Sequence, residues 1–173
     1  NYGGISSTHM SYYATSDAAE DTCEIGVLDA NNTYELYTHY SSNEIYASMA
    51  DYPSYNISGP IATALGFTII TSINDSDLRL FKNTTLIDSH LVARSDNRGI
   101  CQVSINGRST GCGAGADRLS SKQCAFATLG IGVSTAIEAL MYADIQAFQT
   151  TLGRQVWSVN PPSNPAIVYK PQE

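Results

Sequence analysis

The chain has 173 residues, of which 14% are charged and 43% are hydrophobic, and its formal net charge is −7. A chain of this length predicts one domain with its own core. The negative charge argues against nucleic acid and anionic lipid as partners, because phosphate binding needs Lys and Arg. No apolar run is long enough to insert in a membrane. The chain begins at Asn1 without Met, which we interpret as the C-terminal portion of a longer protein.

Short segments with alternating apolar and polar residues occupy the first half of the chain. Polar turns separate them roughly every 8–12 residues, a rhythm that is typical of an antiparallel sandwich or barrel. The predicted strands are 9–15, 22–29, 33–40, 44–50, 66–73, 78–81 and 84–87, with 90–94 continuing the last strand or beginning another.

Two segments interrupt this rhythm. Residues 51–64 carry Pro53, Gly59 and Pro60, and we predict a long surface loop there. Farther along, alternation resumes up to Ile105, and the following Asn-Gly pair predicts a hairpin turn. Residues 111–116 are Gly-rich and predict a flexible loop.

A strand followed by a helix is predicted for 124–156. We expect the strand to be covered on both sides, because both of its faces are small or apolar. Ser134 or Thr135 can cap the helix, and Thr135 with Glu138 fits a capping box. Gly153 fits the left-handed position after the last turn. The helix has one apolar stripe, which predicts its buried face and consists of Ile137, Leu140, Met141, Ile145, Phe148 and Leu152.

The tail after this helix holds four of the six Pro residues. Such a composition predicts an extended segment, either loose or packed on a neighbour. We therefore divide the chain into a domain, 1–157, and a C-terminal tail, 158–173.

Four cysteines leave the redox state open. Cys101 and Cys112 flank a predicted turn and can meet across a hairpin, and Cys23 and Cys124 can then meet across neighbouring strands. An oxidising compartment favours these two disulfides, and a reducing one favours four buried thiols. Zinc is not indicated, since no CxxC pair or suitably spaced His is present.

The terminal stretch resembles a known family. CAFATLGIG, a helix and then QAFQTTLGRQV are similar to the C-terminal end of concanavalin A/laminin-G-like domains of bacterial and phage tail-fibre and cell-surface proteins. HMSYYATSD, EIGVLD and DLRLFKNTTLI resemble earlier strands of that domain. The resemblance implies an all-β, two-sheet antiparallel jelly roll with one C-terminal helix. It also implies an extracellular, cell-surface or virion-fibre location, a homotrimer and a surface glycan or other cell-envelope receptor as partner.

Candidate ligand-binding residues lie in the irregular segments, where specificity resides in many folds. Sugar sites combine an aromatic face for the ring with Asn, Asp and Arg side chains for the hydroxyls. The long loop and the turn before Cys101 offer such side chains, and the candidates are Asp51, Tyr52, Tyr55, Asn56, Asp96, Asn97 and Arg98.

No catalytic residue, cofactor or resident metal ligand is predicted. Glycoside hydrolases need two carboxylates on one face, whereas Glu24 and Asp29 are an odd distance apart and Glu35 stands alone on its strand. The acidic cluster at 17–21 is interpreted as a solvated turn. A calcium site remains an alternative, with ligands drawn from Asp17 and Asp21 or from Asp75 and Asp77.

These features favour a non-enzymatic domain that binds a receptor or glycan at the tip of a fibre or surface adhesin. One alternative is a structural trimerisation module that ends a fibre, with the helix and the tail packing between chains. The other alternative is a glycoside hydrolase of the same fold.

Overall fold

Two β-sheets and one helix form three stacked layers in the computed structural model, which describes residues 7–29, 32–51, 56–74, 76–91, 102–111 and 115–156. The strands in chain order are β1 (Thr8–Ala14), β2 (Ile25–Asp29), β3 (Asn32–Tyr40), β4 (Glu44–Asp51), β5 (Asn56–Pro60), β6 (Gly66–Asn74), β7 (Asp77–Lys82), β8 (Thr85–His90), β9 (Ser104–Ile105), β10 (Arg108–Thr110), β11 (Ala116–Asp117) and β12 (Cys124–Gly130). One helix, α1 (Thr135–Thr151), follows them.

The predicted two-sheet sandwich with a C-terminal helix is confirmed. The five-stranded sheet has the order β12-β1-β6-β7-β8, and all its pairs are antiparallel. The seven-stranded sheet has the order β11-β10-β2-β3-β4-β5, with β9 also pairing with β2. One pair in this second sheet, β10 with β2, is parallel.

The main core lies between the two sheets, because each strand contributes every second side chain to it. It includes Met10, Tyr12, Ile25, Leu36, Ile45, Met49, Ile57, Ile70, Leu78 and Leu80. A second core lies between the five-stranded sheet and α1, and it includes Tyr13, Phe67, Ile69, Phe81, Tyr142 and Ile145. The helix therefore covers the outer face of the five-stranded sheet, and the seven-stranded sheet forms the opposite layer.

Two loop predictions need correction. The long loop predicted for 51–64 contains β5, which pairs antiparallel with β4 and buries Ile57. The Asn-Gly pair does not connect a hairpin: β9 before it and β10 after it both pair with β2.

The acidic cluster lies at the surface, as predicted, and its carboxylates also have hydrogen-bond partners. Asp17 bonds to His39 and Ala64, Glu20 to Ser121 and Asp21 to Arg118.

The helix begins and ends where predicted, but it turns a different face inward. Ser134 is the N-cap and accepts a hydrogen bond from the Ile137 amide, so the Thr135 capping box is wrong. Gly153 has a φ of 65°, which lies in the left-handed region predicted for it. Ile137, Phe148 and Leu152 of the predicted buried stripe are 46%, 49% and 47% exposed. The buried positions are instead Glu138, Tyr142, Ala143, Ile145, Gln146 and Gln149.

The strand before the helix, β12, is at the edge of its sheet and is mostly half-buried. Ala127 packs against the main core and Phe126 against the core under α1, so both faces are covered in part. Cys124 in this strand and Cys23 are free thiols, and the predicted bridge between them is wrong. Cys101 and Cys112 lie outside the described residues. So do 92–94 and the tail 158–173, and the division at 157 stays a prediction.

Candidate functional site

A cavity of about 470 Å³ opens on the seven-stranded sheet, on the face that points away from the five-stranded sheet. Strand alternation explains its position. On β3, Leu36 enters the core between the sheets, whereas its neighbours Glu35 and Tyr37 face the cavity. On β4, Ile45 is in the core and Tyr46 lines the cavity. The lining residues are Leu28, Thr33, Glu35, Tyr37, Tyr40, Glu44, Tyr46, Asn56, Arg108 and Arg118.

One row of paired residues crosses the sheet beneath the cavity. Arg108 of β10 is paired with Gly26 of β2, Gly26 with Glu35 of β3, Glu35 with Ser48 of β4, and Ser48 with Asn56 of β5. Residues in register across neighbouring strands point to the same face of a sheet. The register therefore brings together polar residues that are far apart in the sequence.

A side chain at Gly26 would clash with Cys23 and touch Arg108. A Cβ atom at Gly26 would lie 3.4 Å from Cγ of Arg108 and 2.6 Å from Sγ of Cys23. Without that atom, the Arg108 side chain extends over β2, and its Nη1 donates to Oε1 of Glu35 at 2.6 Å. Nε and Nη2 of the same guanidinium donate to the two carboxylate oxygens of Asp117 at 2.9 and 2.6 Å. Arg108 is thus fixed between two carboxylates, one on each side.

The two carboxylates differ in their environment. The Glu35 side chain is only 4% exposed, and burial raises its pKa although Arg108 opposes that effect. Asp117 is at the rim, and the hydrogen bonds from Arg108 hold the pKa of Asp117 below its usual range. Hydrogen bonding to Asp117 in turn raises the pKa of Arg108.

Three tyrosines form an aromatic cluster beside this network. The Tyr37 ring packs edge-on against Tyr40 and Tyr46, with centroid distances of 5.5 and 5.3 Å. A register shift between Tyr37 and Tyr40 brings Tyr40 to the same side as Tyr37. Tyr37 is buried, and its hydroxyl donates to Oε2 of Glu35 at 3.2 Å. Tyr40 and Tyr46 remain partly exposed, so their rings form an apolar wall of the cavity.

The rim holds a second arginine. Arg118 follows β11 with a positive φ of 45°, and its Nη1 forms an ion pair with Asp21. Glu44, which is exposed, accepts a hydrogen bond from the Ser42 hydroxyl at 3.0 Å. Each charged side chain that lines the cavity therefore has a hydrogen-bond partner within the protein.

Two polar side chains in the wall are incompletely bonded. Oγ1 of Thr33 and Oδ1 of Asn56 are buried, and neither has a hydrogen-bond partner among the described residues. Buried polar atoms are usually paired.

Of the predicted ligand-binding residues, Asn56 lines this cavity. Asp51 ends β4, and its side chain lies outside the described part of the chain. Tyr52, Tyr55, Asp96, Asn97 and Arg98 also lie outside the described residues, so these assignments stay predictions.

The residues that dominate the cavity are not indicated by the sequence. Glu35 reads there as an isolated carboxylate, and Arg108 lies in the predicted turn between Cys101 and Cys112. The two-residue spacing of Glu35 and Tyr37 could have indicated one polar, aromatic face of β3. Nothing local could have indicated Arg108, because its position depends on a parallel pairing between distant segments.

Of the aspartates considered for calcium, Asp17, Asp21 and Asp77 have other partners, and Asp75 lies outside the described residues. Asp17 accepts hydrogen bonds from His39 and from the Ala64 amide, and Asp77 binds Arg79 through two hydrogen bonds of 2.8 Å. No group of three His, Cys, Asp or Glu side chains suited to a metal ion occurs in the described part of the chain. Within that part, the helix is neither long nor apolar enough to span a bilayer.

No protein-family model matches the chain, and no curated protein sequence matches it. Among solved structures, the fold is similar to the CBM40 of the IT-sialidase from Ruminococcus gnavus bound to α2,3-sialyllactose. The TM-score is 0.48 and the identity 14%, over 79% of this chain and 82% of that chain. Another structure of the Ruminococcus gnavus IT-sialidase CBM40 gives a TM-score of 0.46 and 15% identity, over 76% of this chain and 81% of that chain. A likeness at this level assigns neither a ligand nor a residue to this chain.

Proposed function

We propose that this domain is a non-enzymatic module that binds a glycan in the cavity on the seven-stranded sheet. The observation that carries the proposal is the side-by-side arrangement of the Tyr40 and Tyr46 rings and the Arg108–Glu35–Asp117 network. An aromatic wall accepts the C–H face of a sugar ring, and adjacent polar groups of fixed orientation accept and donate hydrogen bonds to its hydroxyls.

The open shape of the cavity also suits a glycan. The cavity volume of about 470 Å³ is within the range of small-molecule sites and has room for one or two sugar rings. A sheet face is rigid, so the donors and acceptors are already oriented before binding. Preorganisation of this kind matters for sugars, because each hydroxyl must exchange water for a protein partner.

We further propose that the domain belongs to the tip of an extracellular fibre or surface adhesin. The support is the resemblance of the terminal strand and helix to domains of such proteins. In that setting the partner is a surface glycan or another cell-envelope receptor. Asp51, Tyr52 and Tyr55 immediately precede Asn56 in the sequence and stay candidates for the same site, as do Asp96, Asn97 and Arg98.

A glycan array probed with the intact chain and four variants tests the proposal. Tyr46→Ala removes one aromatic wall, and Arg108→Lys removes the two-sided hydrogen bonding of the guanidinium. Phe148→Ala is the matched control for an exposed aromatic ring on the helix. Arg79→Lys is the control for an arginine held by a carboxylate, Asp77, on the other sheet.

We expect each cavity variant to weaken binding at least ten-fold, as measured by titration calorimetry with the best array ligand. The two controls should stay within two-fold of the parent protein. Thermal unfolding of all variants separates lost binding from lost folding. Equal binding by the cavity variants and the controls would contradict the site, and a blank array would contradict the function.

A structural trimerisation module is the second candidate, and the outer face of α1 favours it. Ile137, Phe148 and Leu152 expose about half of their surface there, which is unusual for large apolar side chains that cluster on one helix. If this face packs between chains, light scattering should give three times the monomer mass. Replacement of Ile137 and Phe148 by Ser should then return the protein to a monomer.

The contrast between Glu35 and Asp117 favours a glycoside hydrolase as the third candidate. One carboxyl has a raised pKa and the other a lowered pKa, which is how acid and nucleophile are separated in such enzymes. Both oxygens of Glu35 are already hydrogen-bonded, one to Arg108 and one to Tyr37, which leaves no proton positioned for a leaving group. A hydrolysis screen on the array ligands should detect no cleavage, and any turnover lost in Glu35→Gln would favour the enzyme.

A further inference from the structure

We infer that the cavity selects an uncharged saccharide, whose ring carries hydroxyl groups but no carboxylate. The inference rests on the proposed glycan-binding function and adds the chemical class of the sugar. It follows from the ion pairs that the charged side chains of the cavity already form within the protein.

Carboxylates outnumber guanidinium groups around the cavity. Two arginines and two glutamates line it: Arg108, Arg118, Glu35 and Glu44. Asp117 binds Arg108 and Asp21 binds Arg118, so the cavity and its rim hold two guanidinium groups and four carboxylates. An anionic sugar would enter a site whose local charge is already negative, in a protein with a net charge of −7.

Arg108 has little capacity left for a sugar carboxylate. Three of its five N–H groups donate to Glu35 and Asp117, including both ends of the planar fork that binds a carboxylate side-on. A sugar carboxylate that bound this fork side-on would have to displace Asp117, and one that bound the two remaining N–H groups would lie close to both Glu35 and Asp117, whose charges repel it. Displacing Glu35 would leave a buried carboxylate without its counter-ion, which is strongly unfavourable.

Arg118 is also paired. Its Nη1 binds Asp21, and the Asp21 side chain is 49% exposed. Exchange of Asp21 for a ligand carboxylate would replace one exposed ion pair by another, and exposed ion pairs contribute little to binding. Arg118 therefore gives an acidic sugar no clear advantage over a neutral one.

A neutral sugar fits the same groups without displacing any of them. Carboxylate oxygens have more than one lone pair, so Asp117 and Glu44 can each accept a further hydrogen bond from a hydroxyl. The N–H groups that Arg108 does not use for Glu35 or Asp117 can donate to a hydroxyl oxygen. Two adjacent hydroxyls on one ring can thus bind the carboxylate and the guanidinium together, while the opposite face of the ring contacts Tyr40 or Tyr46.

The test is an array of matched pairs that differ in one group. Gluco-, galacto- and manno-configured oligosaccharides are each placed beside their C6-carboxylated counterparts, and neutral galactosides beside their sialylated forms. We expect the preferred neutral glycan to bind at least ten-fold more tightly than its carboxylated partner. Its affinity should change less than two-fold between 50 and 500 mM salt, since no net ion pair forms on binding.

The outcomes separate the two proposals. If a carboxylated member binds more tightly than its neutral partner and loses affinity with salt, the selectivity is wrong but glycan binding stands. If no member of any pair binds, the glycan-binding function itself fails.

A charge variant provides an independent readout. Glu35→Gln keeps the shape of the side chain but removes the charge opposite Arg108, so one end of the guanidinium fork becomes available to a ligand carboxylate. We expect the neutral-to-carboxylated affinity ratio to fall at least ten-fold in this variant. Asp77→Asn, which makes the same change at the Arg79 pair on the other sheet, should leave the ratio unchanged. An unchanged ratio in folded Glu35→Gln protein would overturn the inference.

Discussion

Arg108 and Glu35 are 73 positions apart in the sequence, yet Nη1 of Arg108 donates to Oε1 of Glu35 at 2.6 Å. The contact passes over Gly26, which is paired with both residues on the strand between them. A side chain at this position would clash with Sγ of Cys23 and come into van der Waals contact with Cγ of Arg108. A residue without a side chain therefore lies beneath the contact between Arg108 and Glu35.

The first prediction is that Gly26→Ala disrupts the cavity. The new Cβ atom would lie 2.6 Å from Sγ of Cys23, so Cys23 or β2 must shift, and β2 lies beneath the Arg108 side chain, whose Cγ would be 3.4 Å from the new atom. We expect glycan affinity to fall at least ten-fold and the free energy of unfolding to fall by about 1–3 kcal/mol, as for other overpacked sites. Calorimetric titration and urea denaturation measure the two effects.

Gly59→Ala is the matched control for this substitution. Its Cβ atom would meet Cγ2 of Ile87 at 2.5 Å, on the side of the sheet that faces the main core. The stability of this variant should fall by a similar amount, while its affinity should stay close to that of the parent. If both glycine variants lost affinity equally, the effect would be one of folding rather than of Arg108 position.

The second prediction concerns which face of α1 holds the fold together. Ile145 is buried against the five-stranded sheet, whereas Phe148 is about half exposed and meets Phe126 edge-on at a centroid distance of 6.4 Å. Ile145→Ala should reduce the free energy of unfolding by about 2–4 kcal/mol. Phe148→Ala should reduce it by only about 1 kcal/mol, because half of its surface is already in water. Denaturant titration of the two variants measures both free energies of unfolding. A larger decrease for Phe148→Ala than for Ile145→Ala would contradict the orientation assigned to α1.

The helix illustrates what the sequence could and could not indicate. Its ends were predictable, because Ser134 and Gly153 provide local capping that depends on neighbouring residues alone. Its buried face was not predictable in this way. Part of the apolar stripe points to solvent, whereas Gln146 and Gln149 are buried. Gln146 receives a hydrogen bond from Tyr13, and Gln149 donates to the carbonyl of Ala125. Polar residues become buried when the neighbouring sheet offers partners, and those partners are distant in sequence.

Among the strands, too, some features could be predicted from the local sequence and others could not. Alternation correctly indicated β1, β3, β4 and β6, because one face of each is buried in the core. It missed β5, in which Gly59 and Pro60 mask a short edge strand. The candidate site was harder still, because its central residues come from β3, β10 and the segment after β11. Only the pairing of β10 with β2 brings them to one face.

The third prediction is that Glu138 destabilises the protein at neutral pH. This carboxyl is buried under α1, Oε1 has no hydrogen-bond partner among the described residues, and burial raises the pKa of Glu138 to about 7. The folded state therefore holds a proton that the unfolded state releases above about pH 4.5, and stability falls as the pH rises from 4.5 to 7. Glu138→Gln should be more stable than the parent by about 1–3 kcal/mol at pH 8.

This advantage of Glu138→Gln should disappear at pH 4, where the parent carboxyl is protonated in both states. At pH 8 the positive end of the helix dipole partly offsets the cost of burying the ionised Glu138. We therefore expect a stability difference in the lower part of the range of about 1–3 kcal/mol. Glu44→Gln is the control, because it makes the same substitution at an exposed side chain. A constant difference between parent and Glu138→Gln from pH 4 to 8 would falsify the assignment.

The fourth prediction concerns Lys82, whose ammonium group is buried and donates to the Ala64 carbonyl at 2.5 Å and to Oγ1 of Thr68 at 3.1 Å. Burial lowers the pKa of Lys82 to about 7, although Asp17 and Glu24 oppose that shift. The unfolded state binds the extra proton between pH 7 and about 10.4, so stability rises with pH in this window. Lys82→Met has no such group, and its stability relative to the parent should fall by about 2 kcal/mol from pH 7 to 9. Taking the difference between the two proteins cancels the titration of the other groups, including the buried thiols. Urea denaturation at half-unit pH steps measures this difference in the free energy of unfolding. A difference that does not change with pH over this window would mean that Lys82 keeps its proton in the folded protein.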